Sequence, residues 1–403
     1  MLKPQPKIRV LHIITNLPVG GAQDNTLITV ERLDRHQFDV TLMCSPDGEW
    51  RERAENIPDL ELIFVDALTR PVHPFYDTVA FWKLCTLIKR GGYDIVHTHS
   101  SKPGVLGRLA ARVVGTPVII HTIHGFPFND FMPRAVTWGL VVLERWLSRL
   151  TDRLITVSKL NLEKATRLKL APPEKFVNIY SGIDFHRFDT PADPARKKAE
   201  LGVGNGAPVV GMVGRLSKQK APLNFVRAIP HVLQQRRDAR FVLVGDGELR
   251  QSVETLARKL GVADKLCLLG YRDDVPELLR TFDVYVLPSL WEGLGRSLTE
   301  AMYSGCPVVA TSVEGVPELV RHEETGLLVE PNDVPALAAR ILELLNDRDK
   351  AQRLARAAKQ RIDENFRADV MVRALERVYQ ETLAAKKVDP DRVRHPVRVR
   401  ARG

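Results

Sequence analysis

Cysteine, long apolar runs and acidic charge are all scarce in this chain of 403 residues. Its cysteines are Cys44, Cys85, Cys267 and Cys306. They are scattered without a C-x-x-C spacing, which excludes the common zinc and redox motifs and suits a reducing cytoplasm. No apolar run reaches the roughly 18 residues of a membrane-spanning helix. The first residues lack the apolar stretch and cleavage site of a secretory signal, so we expect a strand there and a cytoplasmic location.

The shortage of acidic residues leaves a formal net charge of +10. Half of this excess lies in residues 386–403, a proline-interrupted basic tail that we expect to be disordered. Nucleic acid is a poor candidate partner, because the sequence has no zinc spacing, no RNP-like aromatic run and no helix-turn-helix pattern. A diphosphate-bearing substrate and an anionic membrane surface both remain as partners that suit the charge.

Short apolar, β-branched runs alternate with helical patterns in both halves of the chain. In the first half these runs are Ile8–Thr15, Phe38–Cys44, Leu60–Val65, Ile95–His99, Pro117–Thr122 and Leu154–Val157. In the second half they begin at Pro208, Phe241, Leu266, Val284 and Val308. Runs without strict alternation indicate parallel strands buried on both faces. The sequence therefore predicts an α/β fold of two doubly wound Rossmann-like domains facing a central cleft, joined by a polar linker that begins near Asp189.

Two glutamates eight residues apart, Glu292 and Glu300, frame the most informative segment, WEGLGRSLTEAMYSGCPVVAT. It predicts a strand, a loop containing Gly293 and Gly295, and a short helix. Free backbone N–H groups and the helix dipole make such a helix N-terminus an anion site. A carboxylate one turn into the helix suits sugar hydroxyls. The segment therefore indicates a nucleotide-sugar site, and the alternative is an ordinary βαβ unit with surface glutamates.

Further loops follow predicted strands of the same half. VGRLSKQK places Arg215 and Lys220 on one loop, where two cations can neutralise a diphosphate from two directions. VGDG follows the next strand, and the loop with Tyr271 follows a third and is expected to read the base. Ligands of open α/β sheets bind at the carboxyl ends of the strands, so these loops are expected to converge.

Together these motifs resemble the retaining family 4 glycosyltransferases of GT-B fold, whose mark is the E-x7-E element. The resemblance extends over nearly the whole chain, through GGAQ, HTIHG, SGID, VGRLSKQK, VGDG and EGVPELV. It implies an acceptor-binding domain over residues 1–185 and a nucleotide-sugar-binding domain over 186–365. A helix at about 366–385 is expected to cross back onto the first domain.

The resemblance also implies roles for individual residues. Arg215 and Lys220 would hold the diphosphate and stabilise it as it departs. Glu300 would bind the ribose, Glu292 would lie near the donor sugar, and His124 would hydrogen-bond that sugar unless it is a core histidine. The implied catalytic set is Arg215, Lys220, His124 and Glu292. The implied donor-binding set is Gly20, Gly21, Arg215, Lys220, Tyr271, Glu292, Gly293, Leu294, Gly295 and Glu300.

The resemblance implies front-face substitution, in which the leaving phosphate helps to deprotonate the acceptor hydroxyl. We therefore assign no catalytic base and expect neither a metal nor another cofactor. The D-x-D strings at 347–349 and 389–391 follow no predicted strand, which argues against a metal-dependent enzyme of another fold. For His97 and His99, a structural role and an acceptor contact both stay open.

The chain departs from the family pattern at three places, which leaves the donor sugar undetermined. Ala221 stands where glycine is common after the lysine, and Ser181 where asparagine is common. The first glutamate is followed by Gly-Leu-Gly-Arg rather than by an aromatic and small residues. The expected reaction is transfer from a UDP- or GDP-linked sugar to a glycan or lipid-linked glycan acceptor.

The segment Met132–Arg153 predicts an amphipathic helix. Its apolar stripe consists of Val136, Leu140, Leu143, Leu147 and Leu150. We expect this stripe to pack on the sheet, and the alternative is contact with an anionic membrane through the tryptophans and arginines.

Two rival functions remain from the sequence alone. A nucleotide-sugar 2-epimerase shares the two-domain fold but is expected to lack the E-x7-E element. A non-catalytic binding protein would not need an intact set of Arg215, Lys220, Glu292, Glu300 and His124.

Overall fold

The computed structural model describes residues 6–69, 71–189, 193–204 and 206–388. The chain divides into two compact units. Unit 1 contains the residues up to Gly182 and those from Ala368 onward, and unit 2 is Ile183–Arg367. The predicted basic tail lies outside the described residues from position 389 onward.

Unit 1 is built on a parallel sheet whose described strands follow the order β3-β2-β1-β4-β5-β6-β7. They are β1 (Ile8–Ile13), β2 (Phe38–Cys44), β3 (Leu60–Phe64), β4 (Ile95–His99), β5 (Val118–Ile123), β6 (Arg153–Thr156) and β7 (Phe176–Asn178). Every residue of β4 and β5 is buried, as expected for strands covered on both faces. The strand order reverses between β1 and β4, which is where ligands of such sheets bind.

Helices connect these strands and cover both faces of the sheet. They are α1 (Gly21–Arg32), α2 (Arg51–Glu55), α3 (Pro74–Gly91), α4 (Ser101–Val114), α5 (Arg134–Arg149) and α6 (Lys159–Arg167). Helix α3 shows how the sequence sets such limits. Pro74 occupies its first turn, where a missing N–H costs nothing, and Gly92 ends it in the left-handed conformation with φ of 56°.

Unit 2 has a second parallel sheet in the order β10-β9-β8-β11-β12-β13. Its helices and strands, in chain order, are α7 (His186–Asp189), α8 (Pro194–Glu200), β8 (Val209–Val213), α9 (Pro222–Leu233), β9 (Arg240–Val244), α10 (Arg250–Lys259), β10 (Leu266–Gly270), α11 (Val275–Leu279), β11 (Val284–Leu287), α12 (Arg296–Tyr303), β12 (Val308–Thr311), α13 (Val316–Leu319), β13 (Leu327–Val329), α14 (Val334–Asn346) and α15 (Arg348–Arg361). The strand order reverses between β8 and β11. The predicted α/β class with two parallel sheets is confirmed.

The final helix, α16 (Ala368–Ala385), belongs to unit 1. It contacts α1, and its Tyr379 is completely buried in the core of that unit. Glu376 accepts a hydrogen bond from the backbone N–H of Asp34 at 2.9 Å. Residues from the two ends of the chain therefore complete one core.

Two predictions made from the sequence were wrong. The composition of the polar segment near residue 190 predicts a linker, yet this segment contains α8. Asp193 caps that helix by accepting from the backbone N–H of Arg196 at 3.0 Å, and Lys197 anchors it to Asp274 at 2.7 Å. Local capping and ion pairing thus order a segment of linker-like composition.

The second wrong prediction concerns the face of α5 that packs inward. Of the predicted stripe only Leu147 is buried, whereas Val136 and Leu143 are exposed. The buried face also contains Val141, Glu144 and Ser148. Among the described helices, none is long and apolar enough to cross a bilayer.

Candidate active site

The loops after β8 and β11 meet at the point where the strand order of unit 2 reverses. Lys220 from the first loop contacts Glu292 from the second, with 2.5 Å between Nζ and Oε1. Ser289 donates a hydrogen bond to the same carboxylate oxygen at 2.7 Å. Glu292 is only 4% exposed, so its charge is balanced by Lys220 inside the loop rather than by water. The predicted cation and the predicted acid therefore share one site.

Glu314, in the loop after β12, supports this pair and was not predicted from the sequence. Its carboxylate accepts a hydrogen bond from the backbone N–H of Glu292 at 3.0 Å. The neighbouring Gly315 must lack a side chain, because a Cβ there would lie 2.0 Å from the carbonyl oxygen of Gly293. The sequence signal was EGVPELV, a motif to which no individual role was given. Its function here is to fix the loop that carries Glu292.

Gln219, which was not predicted from the sequence either, joins the two loops through two hydrogen bonds that involve backbone groups. The carbonyl oxygen of Gln219 accepts from the N–H of Leu290 at 2.8 Å. Its side-chain amide donates to the carbonyl of Trp291 at 3.0 Å. These contacts hold Lys220 next to the loop of Glu292.

Glu300 lies on α12, one turn from its start, as the sequence predicted. Gly295 precedes the helix in the left-handed conformation with φ of 91°. Leu294 is buried and Glu300 is half-buried. The N-terminus of α12 therefore directly follows the loop of Glu292, where its dipole favours an anion.

Arg215 and Tyr271 occupy different positions relative to this loop. Arg215 is half-buried in the same loop as Lys220. The adjacent Leu216 donates its N–H to the carbonyl of Asp246 at 2.9 Å. Tyr271 follows the edge strand β10, two strands away from β8, and its hydroxyl donates to Asp273. The role of Tyr271 in donor binding stays a prediction.

In unit 1, His124 directly follows β5 and is half-buried. Its Nε2 lies 3.0 Å from Nδ1 of His99, the last residue of β4. A small recess beside His124 is lined by residues that include Ser100, Ser101 and Glu144. His124 therefore combines access from outside with a fixed partner on the inside.

Gly20 and Gly21 lie at the start of α1. Gly20 has extended backbone with φ of 178°, which any residue adopts, and Gly21 is exposed. Backbone conformation therefore does not require glycine at position 20. A role in approaching the donor stays a prediction for both residues.

Burial controls the protonation of the histidines in this region. Burial, with a smaller contribution from Arg35, lowers the pKa of His12 to about 3. Burial and neighbouring histidines lower the pKa of His97 and His99 well below the usual value. These imidazoles are therefore neutral at physiological pH.

Two family models match the chain. Residues 193–361 match glycosyl transferases group 1, and residues 20–182 match the glycosyl transferase 4-like domain. The chain is 34% identical over 352 residues to the UDP-Gal:alpha-D-GlcNAc-diphosphoundecaprenol alpha-1,3-galactosyltransferase of Escherichia coli, covering 86% of this chain and 90% of that protein. It is 29% identical to the N-acetyl-alpha-D-glucosaminyl L-malate synthase of Bacillus anthracis, covering 78% and 82% of the two chains.

Solved structures show the same fold at low sequence identity. HepE from Anabaena, in complex with UDP and glucose, gives a TM-score of 0.79 at 22% identity, covering 93% of this chain and all of that one. Sucrose-phosphate synthase from Thermosynechococcus elongatus gives a TM-score of 0.80 at 22% identity, covering 94% and 100%. The fold is thus that of the GT-B glycosyltransferases. The chain belongs to the group 1 glycosyltransferases of the family 4 type, and it is a glycosyltransferase.

Proposed function

We propose that this enzyme transfers a sugar from a UDP-sugar to a hydroxyl of a lipid-linked glycan, with retention of configuration. The observation that carries the proposal is the contact of Lys220 with Glu292 at the carboxyl ends of β8 and β11. The E. coli relative is named for a UDP-galactose donor and a diphosphoundecaprenol acceptor, which supports the choice of both substrates.

The donor diphosphate would bind between Arg215, Lys220 and the N-terminus of α12. Lys220 would exchange its contact with Glu292 for a phosphate oxygen, and Glu292 would then accept a hydrogen bond from a hydroxyl of the donor sugar. Glu300 would bind the ribose hydroxyls, and His124 would hydrogen-bond the sugar. Positive charge aimed at the departing phosphate lowers the barrier most, because that is where negative charge develops.

In the transfer step, the bond between the anomeric carbon and the β-phosphate oxygen breaks. The acceptor oxygen forms its bond on the same face of the sugar, and its proton passes to the released UDP phosphate. Arg215 and Lys220 supply the charge for which other transferases use a metal, so we expect turnover in the presence of EDTA. Retention predicts that product and donor have the same anomeric configuration, which NMR of the product reads directly.

Calorimetric titration with UDP, GDP and ADP tests the donor site. We expect UDP to bind most tightly, and Arg215→Ala to weaken it at least about tenfold, or about 1.4 kcal/mol. Arg258→Ala is the control, since Arg258 is an exposed cation of α10. Tighter binding of GDP would replace the proposed donor. Equal UDP affinity in wild type and Arg215→Ala would contradict the site.

The outer face of α3, α4 and α5 is suited to the anionic membrane that would carry such an acceptor. Helix α3 packs on α4, and α4 contacts α5. The exposed aromatic residues of α3 and α5 are Phe75, Tyr76, Trp82, Trp138 and Trp146. The exposed cations of the three helices are Lys83, Lys89, Arg90, Arg112, Arg134, Arg145 and Arg149. Apolar rings flanked by cations are typical of surfaces that rest in a lipid headgroup layer.

The acidic residues of these helices do not oppose such binding. They are Asp77, which pairs with Lys102, and Glu144, which is buried against Arg108. The face therefore presents cations and apolar groups to its surroundings. We propose that it docks on an anionic bilayer, where each cation near the surface contributes about 1 kcal/mol.

Sedimentation with vesicles tests this surface. We expect binding to vesicles containing phosphatidylglycerol, little binding to pure phosphatidylcholine, and a reduction of at least about tenfold in Trp138→Ala/Trp146→Ala. Leu260→Ala, which removes an exposed apolar residue of unit 2, is the control. Unchanged binding by the double variant, or equal binding to neutral vesicles, would contradict the proposal.

A further inference from the structure

Three buried histidines of unit 1 lie on one face of its sheet. His12 on β1 is paired in register with His97 on β4, and His99 is two residues further along β4. Side chains two residues apart on a strand point to the same side. Tyr379 of α16 contacts the rings of His12 and His97 from that side. Among these four residues, none is more than 1% exposed.

A hydrogen-bonded chain leads from His124 into this cluster. Nε2 of His124 is 3.0 Å from Nδ1 of His99. Nε2 of His99 is 3.0 Å from Nδ1 of His12. Nε2 of His12 is 3.4 Å from the hydroxyl of Tyr379. We call these four residues the histidine relay.

Beyond Tyr379 the chain continues to the side chain of Thr122. The Tyr379 hydroxyl is 2.6 Å from Nδ1 of His97, and Nε2 of His97 is 2.7 Å from the hydroxyl of Thr122. As a result, both ring nitrogens of His12, His97 and His99 have hydrogen-bond partners in the protein. The cluster is thus fully satisfied although it is buried.

A metal site is the other chemistry that this cluster suggests, since one nitrogen from each of His12, His97 and His99 lies within 4.8 Å of the others. A neutral imidazole has a single lone pair, which a metal would need. In the hydrogen-bonded chain that lone pair already accepts a hydrogen bond from the next group. The contacts therefore favour a hydrogen-bonded relay.

The direction of the protons in this chain determines the tautomer of His124. Each neutral imidazole donates from one nitrogen and accepts at the other, so all the protons must point the same way. If His99 donates from Nδ1, then Nε2 of His124 accepts and the His124 proton lies on Nδ1. If the chain runs the other way, Nε2 of His124 carries the proton.

We propose that His99 and His12 are positioning residues that hold the imidazole ring of His124 in one tautomer. Through it they determine which hydrogen bond His124 makes with the donor sugar. The link to the sugar rests on the proposed function, whereas the tautomer of His124 is a property of the unliganded protein. Carboxylates or carbonyls commonly orient a catalytic histidine, and here other histidines would do so.

Nitrogen NMR of the full chain, labelled at histidine, tests the relay. In wild type we expect the signals of His124 to show a single tautomer. In His99→Gln the side chain of His124 loses its imidazole partner, so we expect mixed tautomers. His121→Gln is the matched control, because His121 is a buried histidine of the same sheet that bonds Thr98 on the opposite face. It should keep the single tautomer of His124, because it leaves the contact of His124 with His99 in place.

Kinetics supply the second measurement. We expect His99→Gln to lower kcat about tenfold and to change the donor KM less than about threefold. Tyr379→Phe removes one hydroxyl and keeps the ring, so it interrupts the chain even if His99→Gln does not fold. We expect Tyr379→Phe, like His99→Gln, to convert the single tautomer of His124 into a mixture.

Unchanged His124 signals in both variants would overturn the relay. Loss of the single tautomer in a protein that does not bind UDP would keep the relay and reject the proposed donor. The two proposals can therefore fail separately.

Discussion

At the scale of single residues, the most unusual group is Arg108 on α4, a guanidinium with no exposed surface. It contacts both carboxylate oxygens of Glu144, at 3.1 and 3.0 Å, and donates to the carbonyl of Gly104. Burial lowers the pKa of Arg108, and Glu144 opposes that shift. A buried charge of this kind is tolerated only while its partner is present.

Removing one partner is therefore expected to cost more than removing both. Glu144→Leu should destabilise the protein by about 3 to 5 kcal/mol, because it leaves Arg108 charged and unpaired in the interior. Arg108→Met/Glu144→Leu should be closer to wild type than Glu144→Leu. Chemical denaturation measures all three, and a double variant less stable than Glu144→Leu would contradict this account.

Single residues also show how far the site could be predicted from the sequence. The sequence indicated Lys220 because it is a cation in a loop that follows a predicted strand. It indicated Glu292 because this residue is the first glutamate of the E-x7-E motif. Ser289 and Glu314 were missed because they act on Glu292 through hydrogen bonds. Ser289 lies in the same loop as Glu292, and Glu314 reaches it from the loop after β12, so both contacts depend on how these loops fold in space. A linear pattern does not contain that information.

At the scale of helices and strands, two glycines of unit 1 have opposite surroundings. A Cβ on Gly107 of α4 would lie 2.7 Å from Cγ2 of Thr98, whereas nothing lies within 4 Å of a Cβ on Gly139 of α5. Both substitutions to alanine gain about 0.5 to 1 kcal/mol of helix propensity. The difference between their free energies of unfolding therefore measures the effect of packing around the added methyl group.

We expect Gly139→Ala to raise the free energy of unfolding by about 0.5 to 1 kcal/mol. Gly107→Ala should lower it by about 1 to 3 kcal/mol, because α4 must move away from β4. Thermal and urea denaturation of the two variants measure this. Equal stabilisation by both would mean that α4 is not held tightly on the sheet.

The same scale shows why most elements were predicted and a few were not. Central strands such as β8 and β11 consist of apolar residues and are buried throughout, which identifies them regardless of context. The three-residue β13 is too short to give a periodic signal. Helix α5 has apolar residues on both faces, so spacing alone could not decide which face packs inward. The ion pair of Glu144 with Arg108 draws a charged residue to the buried side.

At the scale of the whole molecule, buried histidines are concentrated in unit 1. They are His12, His97, His99 and His121, and burial lowers the pKa of each. The histidines of unit 2 (His186, His231 and His322) are exposed. Acid should therefore act on the two units differently.

Below about pH 6.5 the unfolded chain binds protons that the buried histidines of folded unit 1 do not bind. Stability of unit 1 therefore falls as the pH drops from about 6.5 toward about 3, by at most about 5 kcal/mol per pH unit. We expect unit 1 to unfold before unit 2 on acidification. Trp291 is the single tryptophan of unit 2, so the variant that keeps only Trp291 reports on that unit. One shared acid transition would contradict this.

Unit 1 is encoded by both ends of the chain, and Tyr379 reaches its core only with α16. During synthesis, every strand of that sheet leaves the ribosome long before the helix that covers His12 and His97. Unit 2, in contrast, is continuous and is synthesised in full before α16. A chain that stops before α16 would therefore lack the Tyr379 ring and hydroxyl that contact His12 and His97. The packed and hydrogen-bonded cluster of unit 1 is thus assembled only after α16 has been made, although all of its histidines belong to much earlier parts of the sequence.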